Sequence, residues 1–422
     1  MINIRNRSIY RGVYSSILSK GVGFVYQLVS LPILLNYLGQ NNFGFLAILM
    51  SIVGWVNLLN SGVSPYITRV ISAEQSPATI SMVVAASQKI VIALSCILIF
   101  IFLGIVIFLN KELSLQDYSI VAVFIFSIII VNLGLADSVR QGRHEQYINN
   151  ILIMLASFIT VTLIYLISDN NIVFIDHVFT AVLVIYFPLL LTKVYNFASL
   201  RKEYFEFSNL VRIKPKAIIY KLVFSVLWAN LFIQLSVILV KSFSLLLLGM
   251  NDLSESARLE IVFRYLLILG TIFATVQPII WPLITQAKKV GDKDWLFKIK
   301  IVIASSFFII GLLNYFLSYT YGQNLFYLWL GDSEVLTVTE INYSALYFFM
   351  ISLAQAPIVI LMGKGEFSLI GKVLFMESIL YVFISLSIFF VYKHFALIDA
   401  LVPMVVCRFI VFLLLVKPAY YE

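Results

Sequence analysis

Apolar stretches recur along the chain at a nearly constant length, separated by short polar clusters. Twelve stand out, at 13–36, 43–65, 90–109, 118–136, 148–167, 174–192, 222–248, 261–284, 301–321, 341–362, 373–392 and 398–416. Each is near the length of about 20 residues that a helix needs to cross a bilayer. The pattern predicts an all-α polytopic membrane protein with about twelve transmembrane helices. The first span follows the basic segment Arg5, Arg7 and Arg11; Lys20 interrupts its apolar run and no small-residue cleavage site follows, which predicts an uncleaved helix.

Composition removes the soluble alternative. Of 422 residues, 61% are hydrophobic and 12% charged, against about 45–50% and about 25% in soluble domains. So few charges cannot cover a sphere of this mass, and the mean hydropathy of +1.00 points to lipid as the main solvent. The two cysteines, Cys96 and Cys407, lie inside apolar runs, so neither a disulfide framework nor a cysteine metal site is indicated. His144, His177 and His394 fall in separate loops, and no metal-ligand, calcium-loop or phosphate-loop motif is present. Metals and cofactors are not expected.

Charge sets the orientation. With the N-terminus inside, the predicted outer loops hold just Lys111, Arg258, Arg264 and Lys393 among the Lys and Arg residues, and the cytoplasmic loops hold most of the remainder. Both termini are then cytoplasmic. The outer loops collect acidic residues, Glu260 and Glu340 among them. Basic loops of this kind determine topology and meet anionic lipid, so the pI of 9.2 does not call for nucleic acid.

An internal repeat divides the chain. Leu38-Gly39-Gln40-Asn41-Asn42-Phe43 after span 1 matches Leu248-Gly249-Met250-Asn251-Asp252-Leu253 after span 7, and Pro65-Tyr66-Ile67-Thr68 after span 2 matches Pro282-Leu283-Ile284-Thr285 after span 8. The order of these matches predicts two pseudo-symmetric six-helix bundles, 1–192 and 222–422, joined by a basic cytoplasmic linker at 193–221. Six is even, so the halves share one orientation, an arrangement suited to alternating access.

Polar residues inside the spans are the candidate chemistry. Ser16, Lys20, Gly23, Gln27 and Ser30 share one face of span 1. Asn230, Gln234, Lys241 and Ser244 do so in span 7, and Gly54, Asn57, Ser61 and Ser64 in span 2. Small and polar residues at such positions serve either helix packing or a cavity. An ammonium near mid-bilayer is costly and faces a cavity, a partner or the nearer interface. Lining one cavity, Lys20 and Lys241 would suit an anionic substrate such as a diphosphate. Glu377 and Arg408, at similar depth in spans 11 and 12, form either a structural ion pair or a coupling site for protons. Arg140 and Arg143, with Asp137 and His144 at the end of span 4, are placed to meet a head group or to lie in a solvated loop.

Several segments resemble a known family. Gln277-Pro278-Ile279-Ile280-Trp281-Pro282-Leu283-Ile284-Thr285-Gln286-Ala287, continuing to Gly291-Asp292 and Trp295, is similar to a segment of the Wzx-type O-antigen flippases. So are Ser30-Leu31-Pro32, Tyr37-Leu38-Gly39, Phe43-Gly44, Trp55, Asn60-Ser61-Gly62, Leu328-Trp329-Leu330-Gly331 and the Gly363-Lys364-Gly365 turn. The resemblance implies membership of the multidrug/oligosaccharidyl-lipid/polysaccharide exporter superfamily, with two lobes forming a V. It implies a bacterial inner-membrane flippase, not an enzyme. Its substrate would be an oligosaccharide on undecaprenyl diphosphate, carried to the periplasmic leaflet for O-antigen and lipopolysaccharide biosynthesis, with the O-antigen polymerase and chain-length regulator as partners. In that superfamily helices 1, 2, 7 and 8 line the cavity, the spans that carry Lys20, Gln27, Asn57, Asn230, Gln234 and Lys241 here. Many relatives have an acidic residue near the position of Lys241.

Two other readings stand beside it. A cation-coupled multidrug exporter of the same superfamily would want carboxylates in the membrane core of the N-terminal half, where only Asp137, at the end of span 4, is a candidate. A membrane O-antigen polymerase would want a sizeable outer loop with acid/base groups; the longest, about 322–340, offers Asp332, Glu334 and Glu340 but no Lys or Arg.

Overall fold

A computed structural model describes residues 2–61, 63–72, 76–108, 115–205, 217–331 and 335–420. Side chains are described for these residues except at 2–13, 61, 105–108, 115, 222, 224–230, 274, 275, 278, 279, 281, 282, 286 and 289. Among the described residues the regular structure is helical throughout.

The first element, α1 (Ile2–Ser61), is 60 residues long. Straight, it would extend about 90 Å, twice the roughly 40–45 Å of a bilayer with its head groups. It is broken at Gly39, where φ is 71° and ψ 164°, a conformation that a side chain would strain. The break makes two spans of one helix. α2 (Val63–Ser72) then buries Val63, Tyr66, Ile67 and Ile71 along one stripe. α3 (Pro77–Phe108), α4 (Leu115–Leu133), the short α5 (Leu135–Gly142), α6 (Gln146–Asp169) and α7 (His177–Tyr204) follow. The remaining helices are α8 (Ala217–Asn251), α9 (Leu253–Val290), α10 (Lys293–Leu330), α11 (Val338–Lys364), α12 (Phe367–Tyr392) and α13 (Leu397–Tyr420). Ten described helical segments are long and apolar enough to cross a membrane. Dividing α1 at Gly39 and counting α9 gives the twelve expected.

The helices overrun the apolar windows because hydropathy reports the part that lipid solvates, while backbone hydrogen bonding carries a helix on into the aqueous layer. α3 begins at Pro77, and α10 runs from Lys293 to Leu330, shortening the outer loop expected at 322–340. The basic stretch 193–221 is helical in α7 through Tyr204 and again in α8 from Ala217; 206–216 lie outside the described residues.

Two compact units result, again with different limits from the expected ones. The N-terminal unit comprises 1–38 and 49–234, so it includes the first half of α8. Its core gathers Val63 and Ile67 of α2, Val84 of α3, Leu135 and Val139 of α5 and Val223 of α8. Gly142 abuts α2 so closely that a Cβ there would lie 2.6 Å from Ile71 Cβ.

The C-terminal unit comprises 235–422 together with 39–48. Within it the two halves of the repeat meet: a Cβ on Gly44 would fall 1.8 Å from the Leu253 carbonyl oxygen, and one on Gly249 would fall 2.5 Å from Ile48 Cδ1. The repeat is not exact in conformation. The chain turns at Gly39 in the first copy, but in the second it stays helical through Asn251 and turns at Asp252, which caps α9 by accepting from the Ser254 N–H at 2.9 Å. Hydrogen bonds from the Ser254 hydroxyl and N–H hold the Asp252 carboxyl below its ordinary pKa. In the core Phe273 of α9 meets Phe307 of α10 at a tilt and stacks on Phe348 of α11, with ring centroids 4.8 and 5.6 Å apart. Large apolar side chains face outward in both units, Phe158 and Phe383 being about seven-tenths exposed, as a lipid-facing surface requires.

Candidate functional site

The N-terminal unit holds a polar cavity of about 300 Å³ where α1, α4, α5, α6 and α7 meet. Asn57 and Asn60 project from α1 at helical spacing, and Ser64 continues that face on α2. α5 exists as a separate helix because α4 stops at Leu133, and the Asn60 amide donates to the Val131 carbonyl at 2.6 Å beside the break. Thr68 on α2 donates to the Ser138 carbonyl at 3.2 Å, fixing α5 in place. α5 thereby presents Asp137, Ser138 and Gln141 to the cavity, α6 presents Gln146 and Asn149, and α7 presents Lys193.

A hydrogen-bonded network backs this lining. Lys193 Nζ pairs with Asp137 Oδ2, and Asn196 Nδ2 donates to Asp137 Oδ1 at 2.6 Å. Asn149 accepts from Asn196 at 3.1 Å and donates to the Asp137 backbone carbonyl at 2.9 Å. Both carboxylate oxygens of Asp137 are thus occupied. Asn60 Oδ1 and Gln146 Oε1 are buried and accept no hydrogen bond among the described residues.

Arg140 lies behind the cavity rather than at a head group. It is buried, with Nε donating to Asn196 Oδ1, NH1 to Glu145 at 2.9 Å and NH2 to the Ser199 hydroxyl at 2.6 Å. Each of its nitrogens thus has a partner within the fold. Arg143 is more open, pairing with Glu145 at 3.1 Å and Glu203 at 2.6 Å and lying 5.9 Å above the Tyr204 ring. Those carboxylates hold its pKa above the ordinary guanidinium value against the opposing effect of partial burial.

Lys20 and Gln27 lie on the first half of α1 and do not line this cavity. Both are half-buried, and Gln27 Oε1 is another buried acceptor without a partner among the described residues. A Cβ on the neighbouring Gly23 would meet nothing within 4 Å. Gln234 is exposed on α8, and the side chain of Asn230 lies outside those described.

Charges in the C-terminal unit are arranged differently. Lys241, expected to bear on a substrate, is paired with Glu260 at 2.8 Å and lies 5.3 Å above the Phe263 ring. Arg264 approaches the other Glu260 oxygen at 3.3 Å. The outer-loop placement expected of Glu260 and Arg264 does not hold; α9 begins at Leu253, so both are buried on a helix. The charge of Lys241 is thus met within the fold by Glu260. Glu377 and Arg408 form an ion pair at 3.0 Å, with the carboxylate buried. In the same unit Gln355 donates to Gln277 at 2.9 Å, and Arg258 bridges Glu255 and Glu340.

Asn60, Gln146, Asn149 and Lys193 are lining residues that the sequence does not single out as a site. The spacing Asn57, Asn60, Ser64 is a visible signal, and so is the face Lys193, Asn196, Ser199, once that stretch is read as helix.

Neither a family model nor a curated protein sequence matches the chain. Its fold is that of solved transporters. It matches an inward-facing multidrug resistance MATE family transporter of the MOP superfamily with a TM-score of 0.74 at 13% identity, over 94% of this chain and 93% of that one. It matches an outward-facing MATE family transporter of that superfamily at 0.64 and 14% identity, over 98% and 94%. A MOP superfamily transporter from Pyrococcus furiosus, whose binding pocket is described as reversed in polarity and suggestive of a different function, matches at 0.66 and 14% identity, over 98% and 94%. At these identities the likeness establishes the fold: a multi-pass helical membrane protein of the MATE type.

Proposed function

We propose that the chain is a flippase that moves a polyprenyl-diphosphate-linked oligosaccharide, of the undecaprenyl O-antigen type, from the cytoplasmic to the periplasmic leaflet of a bacterial inner membrane by alternating access. The observation that carries this reading is the state of three carboxylates on the helices, Glu260 and Glu377 buried and Asp137 half-buried. Asp137, Glu260 and Glu377 are each neutralised by a Lys or Arg within 3.0 Å. An exporter of cationic drugs would want a carboxylate left to meet its cargo. Lys20 on α1 suits the diphosphate of a lipid-linked sugar, and the amide-rich lining of the cavity suits the sugar. The resemblance of spans 1, 2 and 8 to O-antigen flippases supports the same substrate, and the reversed pocket polarity described for the Pyrococcus furiosus transporter fits a fold that serves more than one cargo.

The reading is tested in a deletion strain. Undecaprenyl-linked repeat units accumulate there on the cytoplasmic leaflet, and the wild-type gene restores surface polysaccharide. Lys20→Ala, at normal protein level, restores at most about a tenth of it, the scale of removing one charge-assisted hydrogen bond. Full restoration by Lys20→Ala removes the role given to Lys20. Ethidium extrusion by the purified chain, with no accumulated lipid-linked units in the deletion strain, establishes the drug-exporter reading instead.

A further inference from the structure

We infer that the cavity of the N-terminal unit is a capture site for a neutral sugar ring, one that engages the carbohydrate of the substrate rather than its diphosphate or lipid. This deepens the flippase reading and rests on it. Three observations converge on a neutral polyhydroxylated ligand.

The first is charge. The cavity's one carboxylate and one ammonium, Asp137 and Lys193, are spent on each other, and Asn196 takes the remaining Asp137 oxygen. An inorganic cation would find no uncommitted carboxylate among the described lining residues, and a phosphate would find no uncommitted ammonium. The second is hydrogen-bonding capacity. Asn60 and Gln146 are among the cavity's lining residues, and their amide oxygens, shielded from solvent as the side chains stand, accept nothing among the described residues. The bond from Asn60 Nδ2 to the Val131 carbonyl fixes which end of that amide is the acceptor. Buried acceptors left open are rare in folded proteins and call for donors; a turn of either amide toward the cavity lets ligand hydroxyl groups supply them. The third is shape. The cavity's volume of about 300 Å³ lies at the small end of ligand sites, a size for one ring at a time. Ile130 and Ile153 give it an apolar wall against which the C–H face of a pyranose packs while its hydroxyls meet the amides.

The cavity lies by the helix ends that the basic residues place in the cytoplasm, the side from which a newly assembled repeat unit arrives. A site built to bond hydroxyls discriminates by penalising ligands that lack them, because its own polar groups are then buried unpaired. Bare lipid diphosphate would therefore be left behind.

The test uses the full chain in lipid nanodiscs with two probes: the lipid-linked repeat unit isolated from the host, and undecaprenyl diphosphate without sugar. Wild type binds the sugar-bearing lipid more tightly. Gln146→Met removes an open acceptor without breaking any hydrogen bond described for the fold, and Asn60→Leu removes the other acceptor along with its bond to Val131. Each lowers affinity for the sugar-bearing lipid about fivefold to tenfold, the worth of one neutral hydrogen bond. Affinity for undecaprenyl diphosphate stays unchanged. If a folded Gln146→Met protein keeps the full wild-type preference, the cavity is not the sugar site, and the flippase reading stands. If wild type binds the bare lipid as tightly as the sugar-bearing one, the inference also falls. If wild type binds neither, the flippase reading falls with it.

Discussion

The two units hold their charges in opposite ways. In the N-terminal unit Asp137 belongs to a half-exposed polar network: its partners are one lysine and two asparagines, and the network edges a cavity. In the C-terminal unit Glu260 sits 4% exposed between Lys241 and Arg264. The difference teaches that intramembrane charge is a poor guide to function until its partners are known. Lys241 is paired with a buried carboxylate, while the amides around Asp137 line a cavity.

The comparison breaks most visibly at Glu260. Glu260→Ala strands the buried Arg264 and the half-buried Lys241 and costs about 3–5 kcal/mol, read as a lowered unfolding midpoint in detergent and reduced accumulation in membranes. Asp137→Asn strands only Lys193, which water in the cavity can solvate. Its cost is about 1 kcal/mol, and a loss as large as that of Glu260→Ala would show the cavity to be dry. The smallest effect belongs to the rim. Glu203, 58% exposed on its side chain, pairs with Arg143 in solvent, and Glu203→Ala changes stability by less than about 0.5 kcal/mol, an effect that salt in the melting buffer diminishes further.

What could be read from sequence follows what each signal measures. Apolar density reports lipid contact, so the twelve spans and the all-helical fold were visible, but the ends of α3, α7 and α10 were not. Asn196 was hidden for that reason, lying in a stretch that looked like linker and proved to be helix. Glu260 was hidden for a related one: nothing in the letters shows that it lies on a helix beside a lysine 19 residues earlier. The repeat was visible as letters, yet the same Leu-Gly pair is bent at Gly39 and helical at Gly249. The choice between them is set by Asp252, which caps α9 and takes over the turn.

The placement of residues 39–48 in the C-terminal unit bears on how the protein is made. Gly44 packs on the backbone of Leu253, which leaves the ribosome 209 residues later. At roughly 5–20 residues per second the segment waits about 10–40 s for its surroundings to be synthesised. Membrane insertion of the first two spans therefore finishes well before their turn finds its packing partners, and for that interval Phe43 and Leu46 must be shielded by lipid or by the insertion machinery.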